Sequence, residues 1–228
     1  VMTDYHKDRI SIQVGLSGYS FKVETGDTVR SSGWLSADRI FTSAEMQKRY
    51  DEVDIAVFTP KCVLVPQQFH LPENSRATLE EVAEIRDSDV VEYVSVPQFA
   101  SVLVYSNTIG ESLSRILSDM VMCTDGSKVR PLPELYHMLM QVHSVQEYNK
   151  ILASYMDGYL YLVIAQGRTL LLCNAFEAQD FTTAEYFIFL AMKKLQLNPE
   201  MSSIYFRTQL AEEDEMSLYR YFRNVEQI

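Results

Sequence analysis

The sequence predicts an α/β protein with two similar lobes and a cleft between them, because one strand–turn–strand unit occurs twice. The first copy, Ile10–Val23, turns at Ser17-Gly18, and the second, Ile151–Ile164, turns at Asp157-Gly158. The turn residues of both copies are typical of β-hairpins. A third strand-like run and then a helical pattern follow each copy. The repetition of this whole unit indicates a duplicated fold.

The order of predicted elements supports the duplication. The first lobe has three strands, a helix, a strand, a helix and a strand, and the second lobe repeats this order up to its last helix. The inward-facing apolar residues of that last helix extend to Val225, near the end of the sequence. We therefore expect the closing strand of the second lobe to be missing. The segment Thr124–Pro133 contains Asp-Gly and two prolines, which marks a loop between lobes. The predicted lobes are therefore residues 1–128 and 129–228.

Two helix starts are predicted from capping boxes, in which a threonine is followed three residues later by a glutamate. They are Thr108 with Glu111 and Thr182 with Glu185. Behind the second box, Tyr186–Met192 is apolar around most of the helix, which predicts deep burial.

Composition and charge exclude several classes of function. The net charge of −11 and the lack of a Lys/Arg cluster argue against binding to nucleic acid or to anionic membranes. The longest apolar run, Tyr159 to Ala165, is too short for membrane insertion, and the N-terminus lacks the apolar region of a signal peptide. The chain has an odd number of cysteines, Cys62, Cys123 and Cys173, and no two of them have C-x-x-C spacing. This pattern is typical of reduced, buried thiols. We therefore expect a cytoplasmic protein.

Four segments carry a resemblance to a known protein family. They are Leu64-Val65-Pro66 with Phe69, Leu171–Phe176, Asp180–Pro199, and Tyr219 with Phe222. Together with the hairpin starts they cover nearly the whole chain, and they resemble an uncharacterised bacterial family, a domain of unknown function. That family is assigned the ribonuclease-H-like, actin-like ATPase fold, whose element order is the one predicted above. The resemblance implies this fold, but it implies no established activity because the shared motifs are packing motifs.

The resemblance also points to a candidate nucleotide site. Actin-like ATPases hold ATP with two hairpins that present backbone N–H groups, and usually an aspartate, to phosphate and Mg²⁺. The matching positions are Ser17, Gly18, Asp157 and Gly158. The first hairpin has no aspartate, and Asp157-Gly158 is also what an ordinary tight turn favours. The Gly-Gly pair of the adenine side is absent, and Thr208-Gln-Leu-Ala stands in its place. These departures predict a degenerate site without ATP hydrolysis.

The sequence leaves three hypotheses of function. The favoured one is a non-catalytic pseudo-ATPase that acts as a binding or scaffold module, with an unknown protein partner and no cofactor. The alternative is a nucleotide-binding ATPase or switch with atypical phosphate hairpins, in which Asp157 organises the Mg²⁺ of Mg-ATP while Ser17, Gly18 and Gly158 contact phosphate. The third is a protein that binds an unrelated small molecule in the cleft. The histidines are predicted to be surface or packing residues, so no metal site and no catalytic residue is expected.

Overall fold

The computed structural model of the protein describes residues 7–107 and 111–228, so the predicted capping residue Thr108 lies outside the described residues. The strands are, in chain order, β1 (Arg9–Val14), β2 (Gly18–Thr25), β3 (Thr28–Ser31), β4 (Leu35–Ser36), β5 (Arg49–Tyr50), β6 (Glu52–Val57), β7 (Cys62–Pro66), β8 (Val91–Val96), β9 (Ser101–Ser106), β10 (Met122–Cys123), β11 (Leu132–Pro133), β12 (Asn149–Met156), β13 (Tyr159–Gln166), β14 (Thr169–Glu177), β15 (Ser203–Phe206) and β16 (Asn224–Gln227). The α-helices are α1 (Ser75–Glu80), α2 (Glu111–Met120), α3 (Glu134–Gln141), α4 (Phe181–Lys194) and α5 (Glu212–Leu218).

Contacts between residues divide the chain into two compact units, each built from two separate segments. Unit 1 comprises the described residues of 1–58 and 107–133, and unit 2 comprises 59–106 and 134–228. This division differs from the two continuous lobes that the sequence predicts. The difference arises because segment 59–106 groups with the second half of the chain, which it contacts through β7 against β14 and β8 against α3.

Unit 1 is built on one mixed sheet with the strand order β11–β6–β1–β2–β3, and β4 lies beside β2. Strand β1 pairs antiparallel with β2 and parallel with β6. Alternate residues of β1, namely Ile10, Ile12 and Val14, are buried while their neighbours remain partly exposed, as the alternation in the sequence predicts. Leu113 and Leu117 of α2 complete the same core.

Segment 59–106 forms an antiparallel sheet in the order β7–β9–β8, with α1 packed on it. Leu79 of α1 forms a small core of its own with two residues of β9, Val102 and Val104. An ion pair holds the start of this segment: Lys61 Nζ lies 2.7 Å from Asp89 Oδ2, and the Asp89 side chain is almost fully buried.

The rest of unit 2 is built on a sheet with the order β14–β13–β12–β15–β16. Strands β12, β13 and β14 are antiparallel neighbours, and β15 joins β12 in parallel. Residues 160–165 of β13 are all buried, because the strand is central and covered on both faces. Ile188 and Met192 of α4 pack into this core. The deep burial predicted for the whole helix is wrong on one side, since Tyr186 is 60% exposed.

The closing strand that the sequence analysis expects to be missing is present. β16 pairs in parallel with β15 along all four of its residues. Helix α5 ends at Leu218, so Val225 belongs to this strand and not to the predicted helix. Leu218, Phe222 and Val225 are buried at helical spacing, and a four-residue strand with one buried residue leaves no alternation to detect.

The start of α4 also differs from the prediction. The N-cap is Asp180, whose Oδ1 accepts a hydrogen bond of 2.7 Å from the backbone N–H of Thr183. The capping box predicted at Thr182 and Glu185 is therefore wrong, because the helix begins at Phe181 and Thr182 already lies within its first turn. Hydrogen bonding to the side chain of Thr183, and secondly to its backbone N–H, holds the pKa of Asp180 below its ordinary value.

Candidate functional site

The first pair of predicted phosphate contacts, Ser17 and Gly18, lies in the connection between β1 and β2. Val14 pairs with Tyr19, so residues 15–18 form the loop. The loop is closed by a 3.0 Å hydrogen bond that the N–H of Gly15 donates to the carbonyl of Gly18. Ser17 is exposed at the tip, whereas Gly18 is buried where β2 begins.

Gly18 is a glycine for a reason internal to unit 1. It pairs with Ser36 of β4, and a Cβ placed on it would lie 2.1 Å from the carbonyl oxygen of Leu35 and 3.0 Å from Nε1 of Trp34. No side chain fits at such a distance from a backbone oxygen. The close approach that the sequence analysis assigns to phosphate is therefore made by the protein's own β4 at this residue. A phosphate contact by Ser17 and Gly18 stays a prediction.

The second pair, Asp157 and Gly158, forms a two-residue turn between β12 and β13, since Met156 pairs with Tyr159. Both turn residues are left-handed, with φ of 53° and 77°, as a type I′ turn requires. The Gly158 carbonyl accepts a hydrogen bond of 2.8 Å from the backbone N–H of Ala178, and a Cβ placed on Gly158 would lie 3.9 Å from the Ala178 carbonyl oxygen, an ordinary contact distance. This turn is open and Asp157 is exposed, but turn geometry alone explains both residue types.

Carboxylates lie around this end of the unit 2 sheet. The Tyr155 hydroxyl donates to the carbonyl of Ala178 at 3.0 Å, and burial, followed by the charges of Asp180 and Asp214, raises the pKa of Tyr155. Asp180 caps α4, and Asp214 lies in the first turn of α5, where burial and the charge of Glu213 raise its pKa. The positive ends of both helix dipoles therefore already face protein carboxylates, which leaves less attraction for a phosphate.

A buried polar cluster joins α3, β12 and the residue after β15. Glu134 is fully buried, and its Oε1 accepts hydrogen bonds from Ser154 Oγ at 2.6 Å and from Arg207 Nε at 2.8 Å. The guanidinium of Arg207 also donates to Gln141 Oε1. Burial alone would raise the pKa of Glu134, but the charge of Arg207 and the two hydrogen bonds outweigh it, so that pKa is lowered. The carboxylate is held ionised as a structural partner of Arg207 and is a poor general base.

Sequence reasoning missed this cluster because each member is ordinary in its local context. Glu134 follows a proline at a helix start, and Arg207 follows a short strand. The one local signal is Ser154, a polar residue within the apolar run of β12. Thr208 stands where the Gly-Gly pair would be, and its hydroxyl accepts a hydrogen bond of 2.9 Å from the Tyr155 N–H, which joins this segment to β12.

The three cysteines are free thiols, as predicted, but each residue is partly exposed and not fully buried as expected. Burial, and secondly the proximity of Cys173, raises the pKa of Cys62 well above its ordinary value of 9.0, and burial raises the pKa of Cys173 to about 12. The Cys62 thiol donates a hydrogen bond to the carbonyl of Thr59 at 3.2 Å. Neither thiol is therefore available as a thiolate nucleophile near neutral pH.

We expect Cys62 and Cys173 in the folded protein to react with Ellman's reagent roughly tenfold or more slowly than in urea at the same pH, because a thiolate is needed for attack. Stopped-flow absorbance measures both rates. The variant Cys62→Ser/Cys173→Ser retains only Cys123 and is the control that assigns the phases. Equal rates for all three thiols in the folded protein would contradict the expectation.

The histidines occupy packing positions where the structure describes their ring contacts. The rings of His70 and Tyr93 are 4.8 Å apart, and those of His143 and Phe99 are 5.0 Å apart. Within residues 7–107 and 111–228, no three His, Cys, Asp or Glu side chains are placed to share a metal ion. In the same ranges, no helix has both the length and the apolar character needed to cross a bilayer.

The four predicted contact residues divide evenly between the two units, Ser17 and Gly18 in unit 1 and Asp157 and Gly158 in unit 2. A family model described as protein of unknown function (DUF3822) matches residues 5–225. The chain belongs to this family. No curated protein matches the sequence.

Solved structures of other proteins match this chain in fold. A Bacteroides thetaiotaomicron protein with an actin-like ATPase fold and unknown function matches with a TM-score of 0.67 at 16% identity, over 100% of this chain and 94% of the other. The PilM–PilN type IV pilus biogenesis complex matches with a TM-score of 0.54 at 13% identity, over 96% of this chain and 88% of the other. The predicted actin-like ATPase fold and family resemblance are confirmed, and at these identities the likeness extends to the fold alone.

Proposed function

We propose that the protein is a non-catalytic actin-like module that binds another protein as a scaffold or adaptor. One observation carries the proposal: the carbonyl of Leu35 lies where any side chain at Gly18 would be. The glycine of the first phosphate hairpin is thus used for internal packing, and no aspartate accompanies it. A hairpin of this kind lacks the carboxylate that organises a metal-bound water in a nucleotide site.

The electrostatics of unit 2 support the same proposal. The N-termini of α4 and α5 carry Asp180 and the run Glu212–Glu215, and the chain as a whole has a net charge of −11. A nucleoside triphosphate brings several negative charges, so these carboxylates oppose its approach. A protein partner has no such requirement.

The kind of partner is proposed from fold analogy. The PilM structure that shares this fold was solved as a complex with PilN in type IV pilus biogenesis. We extend only the general role, a bacterial cytoplasmic actin-like protein that holds another protein, and not the identity of that partner. The free thiols support a reducing compartment.

The test is isothermal titration of Mg·ATP into the protein. We expect no saturable heat at millimolar nucleotide, and Asp157→Asn should behave as the unchanged chain does. Asp27→Asn is the matched control, because Asp27 also lies in a two-residue hairpin turn, between β2 and β3, and loses the same charge. Asparagine tolerates turn conformations, so both variants should keep the fold.

Saturable binding that Asp157→Asn weakens and Asp27→Asn does not would overturn the proposal. It would establish the alternative, a nucleotide-dependent switch in which Asp157 organises Mg²⁺. The observation that favours this alternative is the open second hairpin, where nothing crowds Gly158. The close contact between Gly18 and β4 supports the non-catalytic module over this alternative.

A further inference from the structure

Segment 59–106 of unit 2 exposes three large apolar side chains close together. Phe69 is 70% exposed and Leu71 is 52% exposed, and they lie on either side of His70 in the chain. The ring centroids of His70 and of Tyr93 on β8 are 4.8 Å apart, and Tyr93 is 44% exposed. Apolar side chains scattered singly over a surface are ordinary, whereas neighbours of this size indicate a contact surface. We call Phe69, Leu71 and Tyr93 the apolar patch.

An uncharged groove precedes the apolar patch in the chain. It has a volume of about 540 Å³ and is lined by Pro66, Gln67, Gln68, Phe99 and Ala100. It lies where β7 ends and β9 begins, and the backbone N–H of Gln67 donates a hydrogen bond of 2.8 Å to the carbonyl of Ala100. Since Phe69 directly follows the lining residues, the groove and the apolar patch adjoin each other. Grooves of this size are typical of sites that receive part of a bound molecule.

Carboxylates lie along the segment that follows the apolar patch. Residues 73–92 include seven acidic and only two basic residues, so the segment has a negative excess. Four of the acidic residues are exposed and make no ion pair within the described part of the chain: Glu73, Glu81, Glu84 and Asp87. Of the two guanidinium groups, that of Arg76 is already paired with Glu80 at 2.9 Å. We call the four exposed residues the acidic rim.

Hydrogen bonds hold the acidic rim beside the apolar patch. Ser75 Oγ, at the start of α1, lies 3.1 Å from His70 Nε2, on the ring that contacts β8. The next residue of α1, Arg76, donates to the carbonyls of Arg86 at 3.0 Å and of Asp89 at 3.2 Å. The segment that carries the acidic rim and the loop that carries the apolar patch are therefore fixed to the same helix.

The sign of the charge decides between the possible occupants of this surface. A second copy of the chain would bring a net charge of −11 without a Lys/Arg cluster. Nucleic acids and anionic membranes are also negatively charged, so the acidic rim opposes all three. A protein segment with Lys or Arg beside apolar side chains complements both parts of the surface.

We propose that this surface binds a basic, amphipathic segment of a partner protein. Apolar side chains of that segment enter the groove and cover the apolar patch, and its Lys or Arg side chains pair with the acidic rim. The buried apolar contacts supply most of the affinity, while the charges orient the segment and raise the rate of association. The inference rests on the proposed function, because it names the chemistry of the protein that the module would hold.

The test uses a synthetic amphipathic peptide that is made of leucine and lysine and labelled with fluorescein. The full chain is titrated into this peptide, and binding is followed by fluorescence anisotropy. We expect saturable binding at a single site. Two reference peptides, one with every lysine replaced by glutamate and one with every leucine replaced by serine, should each bind at least about tenfold more weakly, since each lacks one half of the complementarity.

Two variants locate the binding on this surface. Phe69→Ser removes the most exposed side chain of the apolar patch, and Glu81→Lys/Glu84→Lys reverses the charge of half of the acidic rim. Each should weaken binding of the leucine–lysine peptide about tenfold. Because all three residues are exposed, the circular dichroism and thermal unfolding of both variants should match those of the unmodified chain.

Matched controls separate this surface from exposure and charge in general. Phe41→Ser removes another exposed phenylalanine, 63% accessible, from unit 1. Glu177→Lys/Glu200→Lys changes the net charge by the same amount within unit 2 but outside segment 59–106. Both controls should bind the peptide as the unmodified chain does at physiological ionic strength, where long-range attraction is screened.

The proposal is overturned if the leucine–lysine peptide shows no saturable binding, if a reference peptide binds equally well, or if either surface variant binds the peptide unchanged. It is also overturned if both charge-reversal variants lose affinity equally, since net charge alone would then explain the attraction. None of these results bears on the proposed function, which the Mg·ATP titration decides. A chain that binds Mg·ATP and also holds the peptide here would refute the proposed function while the peptide-binding surface stands.

Discussion

Replacing Arg207 with methionine is expected to lower the free energy of unfolding by about 3 kcal/mol, because it removes the cationic partner of a buried carboxylate. Glu134 is fully buried, and the Arg207 side chain is 16% exposed. In Arg207→Met the carboxylate keeps the hydrogen bond from Ser154 but loses the positive charge. Urea denaturation at neutral pH measures the loss.

Two further variants make this prediction specific. Glu134→Met/Arg207→Met removes both charges and should be more stable than Arg207→Met alone, since no buried carboxylate is left without its cation. Arg223→Met is the matched control, because Arg223 pairs with Glu147 in a more exposed position and should cost at most about 1 kcal/mol. An Arg207→Met variant no less stable than Arg223→Met would show that the ion pair contributes little.

The contribution of Glu134 to the pH dependence of stability should change sign in Arg207→Met. The pKa of Glu134 in the folded protein is lowered from its ordinary value of 4.5. The contribution of Glu134 to stability is therefore present above pH 4.5 and is lost as the pH falls through the pKa of the folded protein. In Arg207→Met, burial dominates and raises the pKa of Glu134, so protonation stabilises the folded variant as pH falls. The stability difference between the two proteins should therefore shrink on acidification.

Replacing Gly18 with alanine is expected to lower the free energy of unfolding by about 3 kcal/mol, because the new Cβ would lie 2.1 Å from the Leu35 carbonyl oxygen. That oxygen belongs to the backbone and cannot move away as a flexible side chain can. Strands β2 and β4, which pair through Gly18 with Ser36 and Tyr19 with Leu35, must move apart to make room for the new methyl group. Thermal and urea unfolding in nucleotide-free buffer measure the effect.

Gly126→Ala is the matched control for Gly18→Ala. Gly126 is left-handed, with φ of +82°, but no atom lies within 4 Å of a Cβ placed there. Its substitution should cost about 1–2 kcal/mol of backbone strain and no more. If Gly18→Ala were as stable as the unmodified chain, the packing explanation for Gly18 would be wrong, and the phosphate explanation would regain weight.

The sequence predicted the elements that have a clear period and missed those set by distant contacts. The alternation of Ile10, Ile12 and Val14 identified β1, and Asp157-Gly158 identified a tight hairpin, because both signals are local. The order of elements indicated a duplicated fold, and the family resemblance implied that this fold is actin-like. β16 was missed because its pairing with β15 is not visible in four residues.

The candidate site was less predictable than the fold. The close approach to phosphate predicted at Gly18 stays a prediction, and the sequence could not show that Leu35 lies against this glycine. Glu134 and Arg207 are separated by 73 positions, and only the folded chain makes them a pair. A residue's role as a partner depends on such long-range geometry, which propensity and spacing do not contain.

The discontinuous make-up of the two units has a consequence for the growing chain. β11 pairs in parallel with Ala56 and Val57 of β6, so this end of the strand stays unpaired until the ribosome has also made segment 59–106, which belongs to unit 2. A nascent chain at that stage exposes unpaired backbone groups in a sheet it cannot complete. A chain that ends at residue 128 would therefore leave both units unfinished.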